Sequence, residues 1–93
     1  MATPLTELQK AALADDIPAW AVDGEHLTRT FRFPGFAEAM GFVTSVALVA
    51  EAADHHPDIA ISWNTVTLTL STHSANALTH LDRDLAVVID GLV

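Results

Sequence analysis

Apolar positions recur at helical spacing in three segments of the chain and alternate with polar ones in four others. Thr3-Pro4 followed by Leu5, Leu8, Ala12 and Leu13 reads as an N-capped amphipathic helix, with proline at its first position and a stop between Asp15 and Pro18. Trp20-Ala21-Val22 and the stretch Glu25 to Phe33 read as a hairpin closed at Asp23-Gly24, a pair suited to a type I′ turn. In its second strand Leu27, Phe31 and Phe33 alternate with Thr28, Thr30 and Arg32, and Arg29 interrupts the apolar face once. Phe36 to Ala53 predicts a long helix with two adjacent apolar stripes, Phe36/Met40/Val43/Ala47 and Phe42/Val46/Val49/Ala53, hence a helix covered on more than one side. Ile59, Ile61 and Trp63, then Val66, Leu68 and Leu70 beyond Asn64-Thr65, predict a second hairpin that holds Trp63 on a strand, in the core. Thr79 followed by Asp82 resembles a capping box, and Leu81, Leu85, Val88 and Leu92 carry a last helix to the chain end.

The predicted order is therefore α-β-β-α-β-β-α. It implies an α+β fold: a four-stranded antiparallel sheet with three helices on one face, the other face left to solvent or a partner. Ninety-three residues without a linker or repeat make a single domain, 1–93. An apolar fraction of 51% and a mean hydropathy of +0.34 are high for so short a chain, so part of that surface is expected to be buried between copies, in a dimer or tetramer. A net charge of -8, with Lys10, Arg29, Arg32 and Arg83 as the fixed cations, offers phosphates no basic stripe and argues against nucleic acid as a direct partner. The absence of cysteine excludes disulfides and thiolate metal sites. Neither a signal peptide nor an 18-residue apolar run is read from the sequence, so no membrane partner is expected and the cytoplasm is the default location.

Candidate chemistry gathers where the periodicity breaks. His55 and His56 close the long helix, with Pro57 after them disfavouring further helix, and His73 follows the last strand. Glu51 stands four residues before His55, on the same helical face, where its carboxylate could fix that imidazole in one tautomer. From the residues alone this supports an acid–base or a metal site, and plainer readings stand beside it. His-His-Pro is also a helix stop, Ser71-Thr72-His73-Ser74 also an ordinary polar loop, and Asp82 also a cap. His26 and His80 read as surface residues.

The spacing taken whole is more specific. Glu51-Ala-Ala-Asp54-His55-His56-Pro57, five residues to Trp63, nine more to His73 and eight more to Asp82 resembles the signature of the pterin-4a-carbinolamine dehydratase family. Thr28 to Phe33, Gly41-Phe42-Val43 with Val46-Ala47-Leu48, and Thr69 to His73 resemble family segments in the same order, so the likeness covers nearly all of the chain and is weakest before Pro18. The resemblance implies a hydro-lyase that dehydrates 4a-hydroxytetrahydropterin to quinonoid dihydropterin in tetrahydropterin recycling, in support of aromatic amino-acid hydroxylation, without metal or organic cofactor. It further implies that His55, His56 and His73 line the pterin pocket. We assign His55 and His73 as the acid–base pair and His56 to positioning substrate. Glu51 would orient a histidine, Asp82 would lie at the pocket edge, and backbone groups of Ser71 and Thr72 would meet the pyrimidine edge of the pterin.

Two positions depart from the family pattern. Ile59 stands where an aromatic residue is common, which replaces a stacking contact by aliphatic packing, and Gly35 stands where relatives place a capping aspartate. Two alternatives follow from the same residues. One is a non-enzymatic dimerisation or interaction module of the same fold, against which the three retained histidines argue. The other is a divalent metal site built from His55, His56, His73 and Glu51, which lacks the His-x-x-x-His spacing of a helical site.

Overall fold

The computed structural model describes residues 2–93. Helix α1 runs over Glu7–Asp16 and starts later than its sequence suggests. Thr6 is its N-cap and shares a reciprocal capping box with Gln9, which satisfies two of the free amide donors of the first turn. Pro4 is therefore not a helical residue. It lies in an isolated antiparallel bridge to Thr79, and the next residue, Leu5, donates its N–H to the Leu78 carbonyl at 2.8 Å.

Strands β1 (Ala21–Asp23) and β2 (His26–Arg32) form the first hairpin. Its two-residue loop is Gly24-Glu25, one position beyond the expected pair, because Asp23 is already paired with His26. Gly24 takes φ +60°, the left-handed backbone that a tight hairpin asks of its first central residue and that glycine adopts without steric cost. Helix α2 spans Phe36–Ala53, with Gly35 as an N-cap that has no side chain to offer. Strands β3 (Asp58–Ser62) and β4 (Thr65–Leu70) make the second hairpin. A single 3₁₀ turn at His73–Ala75 precedes helix α3, His80–Asp90, whose Thr79/Asp82 capping box is present as read from the sequence.

The sheet is antiparallel throughout, in the order β1-β2-β4-β3. The register places Leu27 opposite Leu70 and Phe31 opposite Val66. Side chains alternate across a strand, so these residues and Leu68 share one face, and all of them are buried against the helices. Helix α1 adds Leu13 to that core, α2 adds Ala39, Phe42, Val46 and Ala50, and α3 adds Leu85, Ala86 and Ile89. Paired threonines, Thr28 with Thr69 and Thr30 with Thr67, occupy the opposite, half-exposed face. Arg29, the break in the apolar face, is resolved by α3. Its Nη1 donates to Asp90 Oδ1 at 2.6 Å, Trp20 Nε1 donates to the same oxygen at 2.8 Å, and the guanidinium lies 4.3 Å from the centre of the Phe31 ring.

Two expectations about burial need correction. Within the chain the Phe42/Val46 side of α2 is buried, and of the other stripe only Val43 packs partly against the core. On the other stripe Phe36 is 55% exposed and Met40 39%, and nearby Leu48 is 69% exposed. By length and composition alone this 18-residue helix could also cross a membrane, contrary to the expectation that no such run exists. Four of its residues nevertheless belong to the core. Trp63, expected in the core, instead opens the Trp63-Asn64 loop between β3 and β4, 69% exposed and with a left-handed φ of 51°.

Candidate active site

The second hairpin fixes where the site can be. Because β3 pairs antiparallel with β4, Asp58 lies opposite Thr69, and the segment entering β3 is brought beside the segment leaving β4. Asp54 to Asp58 therefore face Ser71 to Ser74, and Leu81 of α3 completes the lining of a cavity of about 410 Å³ between them. That volume falls within the range of small-molecule sites. His55, His56 and His73 all line it, as do Ser71 and Thr72.

The end of α2 sets the histidine directions. Asp54 adopts the left-handed conformation at φ 51°, ψ 41°. His55 N–H reaches back to the Ala50 carbonyl at 3.1 Å, and Asp54 N–H to the Glu51 carbonyl at 3.1 Å, which together form a Schellman ending. The chain thus leaves the helical path one residue before the histidines. The i,i+4 relation expected between Glu51 and His55 applies only inside a helix, and it fails here. Glu51 Oε1 instead meets His56 Nε2 at 2.8 Å, in an open pair whose side chains are 80% and 59% exposed.

His55 turns inward to a different carboxylate. Its Nε2 lies 2.6 Å from Asp82 Oδ1, and the two side chains are 11% and 0% exposed. The second oxygen of Asp82 is occupied as well: Oδ2 accepts from Thr72 Oγ1 at 2.8 Å and from the Thr79 backbone N–H at 2.9 Å. Asp82 is thus both the cap that the sequence suggested and the partner of His55, and it sits beneath the cavity, not among the residues that line it. An acceptor-only carboxylate facing Nε2 requires the proton on that nitrogen, which leaves Nδ1 as the ring nitrogen outside this pair.

His73 opens the 3₁₀ turn and is exposed. Its side chain makes no hydrogen bond among the described residues, so it remains free to meet a ligand. Sequence reasoning missed Leu81, Pro57, Ser74, Asp54 and Asp58 in the cavity wall. Leu81 was legible only as a core position of the last helix. Ile59, the departure from the family pattern, does not line the cavity. No lysine or arginine lines it either, so its fixed charges are those of Asp54 and Asp58. Among the described residues, no three histidine, aspartate or glutamate side chains are arranged to hold a metal ion.

The chain is thus a small α+β protein, a four-stranded antiparallel sheet carrying three helices on one face, with a histidine–carboxylate pair beside a cavity that two further histidines line. Comparison with known proteins agrees. The family model for Pterin 4 alpha carbinolamine dehydratase matches residues 3–92, and the chain belongs to that family. It is 45% identical over 93 residues to a protein of Roseiflexus sp. (strain RS-1), with all of both chains covered. It is 49% identical over 88 residues to one of Nocardia farcinica (strain IFM 10152), covering 95% of this chain and 93% of the relative. Both relatives carry the provisional name pterin-4-alpha-carbinolamine dehydratase. A solved transcriptional coactivator/pterin dehydratase from Brucella melitensis superposes with a TM-score of 0.90 at 38% identity, over 97% of this chain and 98% of that one. A pterin dehydratase-like RuBisCO assembly factor of the alpha-carboxysome, at 24% identity, TM-score 0.66, and 78% and 84% coverage, shares the fold.

Proposed function

We propose that this chain is a hydro-lyase that dehydrates 4a-hydroxytetrahydropterin to quinonoid dihydropterin. In the reaction the bond from C4a to the hydroxyl oxygen breaks and a C=N bond forms to the neighbouring ring nitrogen. One group must deliver a proton to the departing oxygen, and another must take the proton from that nitrogen. The observation that carries the reading is the buried His55–Asp82 pair at 2.6 Å beneath a cavity that His73 also lines. His55, oriented through Nε2, presents Nδ1 for proton transfer, and the unpaired His73 serves as its complement. His56, held by Glu51, positions substrate. A lining without fixed cations suits a neutral heterocycle with several N–H donors, and it does not suit a phosphate ester. The backbone of Ser71 and Thr72 is at hand for the pyrimidine edge, and the chemistry needs no resident metal or organic cofactor.

Stopped-flow dehydration of a synthetic 4a-hydroxytetrahydropterin tests this, comparing wild type, His55→Ala and His73→Ala with the spontaneous rate. Acceleration by wild type that either substitution reduces by about 10²-fold or more is the expected result. A folded wild-type protein that leaves the spontaneous rate unchanged would favour a second reading, a non-enzymatic interaction module. That reading draws on the exposed apolar stripe of α2, at Phe36, Met40 and Leu48, and on the coactivator description of the Brucella melitensis relative. The same stripe supports self-association of this chain, which is compatible with either function.

A further inference from the structure

Behind Asp82 lies a buried pair of threonine hydroxyls. Thr72 is 3% exposed and Thr79 0%, and their Oγ1 atoms are 2.7 Å apart. The hydrogen-bond directions in this group follow from counting protons. Thr72 has one hydroxyl hydrogen and gives it to Asp82 Oδ2 at 2.8 Å, so the hydrogen between the two threonines comes from Thr79. Thr79 Oγ1 in turn accepts the Leu81 N–H at 3.2 Å, and the Thr79 N–H goes to Asp82 Oδ2 at 2.9 Å. Every link then runs one way: Leu81 N–H to Thr79, Thr79 to Thr72, Thr72 to Oδ2 of Asp82. With Oδ2 saturated by two donors, only Oδ1 is left for His55 Nε2.

We infer that Thr72 is a positioning residue for the reaction, acting through Asp82. Its hydroxyl fixes the carboxylate rotamer and thereby holds His55 as the Nε2–H tautomer, with Nδ1 as the ring nitrogen outside this pair. The assignment rests on the proposed dehydratase reading for its kinetic consequence, whereas its structural part does not depend on turnover. Nothing in a capping role requires it, since the Thr79 hydroxyl and the Asp82 carboxylate cap α3 between them without Thr72.

Thr72→Val removes the hydroxyl at nearly constant volume, Thr72→Ser restores it, and Thr72→Ala replaces the valine variant if that does not fold. The primary readout is the ¹⁵N shift pattern of the His55 ring at alkaline pH, where imidazoles are neutral. Wild type and Thr72→Ser are expected to show protonated Nε2 and bare Nδ1, and Thr72→Val or Thr72→Ala a mixture of tautomers. In the dehydration assay kcat is expected to fall roughly tenfold in the variant lacking the hydroxyl, part of what a general acid or base contributes. KM should change less than kcat, because the hydroxyl is committed to Asp82 Oδ2, and serine should recover the rate. An Nδ1–H tautomer in the wild type overturns the inference by itself. So does a folded variant without the hydroxyl that keeps a single Nε2–H tautomer. If the tautomer responds as described while wild type fails to accelerate dehydration, the positioning stands and the assigned reaction falls.

Discussion

Replacing Asp82 by asparagine separates the two duties that this carboxylate combines. The amide oxygen must stay where two donors converge, the Thr72 hydroxyl at 2.8 Å and the Thr79 N–H at 2.9 Å, since an NH₂ there would face donors. The amide nitrogen is then forced into the place of Oδ1, 2.6 Å from His55 Nε2. It can only donate, so the neutral His55 ring must carry its proton on Nδ1, the reverse of the wild-type tautomer. Loss of a positioned acid–base group costs on the order of 10²–10⁴ in rate, or about 2.7–5.4 kcal/mol of barrier at about 1.36 kcal/mol per decade. The cap survives, and the stability loss is about 1 kcal/mol.

Asp82→Ala behaves differently. It removes the cap, worth about 0.5–2 kcal/mol, and orphans buried donors at a cost of about 1–3 kcal/mol. Urea unfolding beside stopped-flow dehydration reads both quantities, and the expected pattern is an inactive, stable asparagine variant and an inactive, weakened alanine variant. A folded Asp82→Asn protein turning over within about threefold of wild type, under half a kcal/mol of barrier per factor of two, would refute the tautomer argument. Equal destabilisation of the two variants would refute the hydrogen-bond assignment.

Four further outcomes follow from the geometry. Turnover is expected to describe a bell against pH, falling on the acid side as the base is protonated and on the alkaline side as the acid is lost, and a flat profile between about pH 5 and 9 would contradict histidine acid–base catalysis. Asp90→Ala removes the acceptor shared by Trp20 and Arg29, leaves a half-buried guanidinium unpaired, and should cost about 1–3 kcal/mol in urea unfolding while turnover holds. Trp63→Asn relieves a bulky side chain held at φ 51° in an exposed loop and should raise stability by about 0.5–1 kcal/mol, read from the denaturation midpoint. Leu48→Glu places a charge in the exposed stripe of α2, and light scattering should show a smaller particle than the multimer expected of wild type.

The fold was readable because most of it rests on local rules. The two stripes of Phe36 to Ala53, the alternation in both hairpins and the Thr79/Asp82 box each depend on neighbours within a few positions, and those elements stand where periodicity put them. The errors fall where two local signals compete. Thr3-Pro4 and Thr6-Gln9 both offer a helix start, and the reciprocal box at Thr6 wins because it satisfies two free amides where proline only avoids presenting one. Asp23-Gly24 and Gly24-Glu25 both offer a turn, and the pairing of Asp23 with His26 decides between them. Trp63 reads as a strand residue by alternation, yet the register of β3 with β4 ends at Ser62 and Thr65 and leaves it in the loop.

The site was less legible for a related reason. Its residues were identifiable as a set by their spacing, but their pairing depends on the single backbone torsion at Asp54. Had α2 continued one more turn, Glu51 and His55 would share a face, and the expected pair would form in the open, where such contacts contribute little. The left-handed turn at Asp54 instead swings His55 under the chain toward α3, where Asp82, twenty-seven residues away, is already held by its capping bonds. The Thr79 N–H and the Thr72 hydroxyl together fix the position of that carboxylate. The carboxylate that caps α3 thus also sets the His55 tautomer, with the Thr72 hydroxyl helping to hold it in place, and this explains why one residue answers to both the structural and the chemical reading of the sequence.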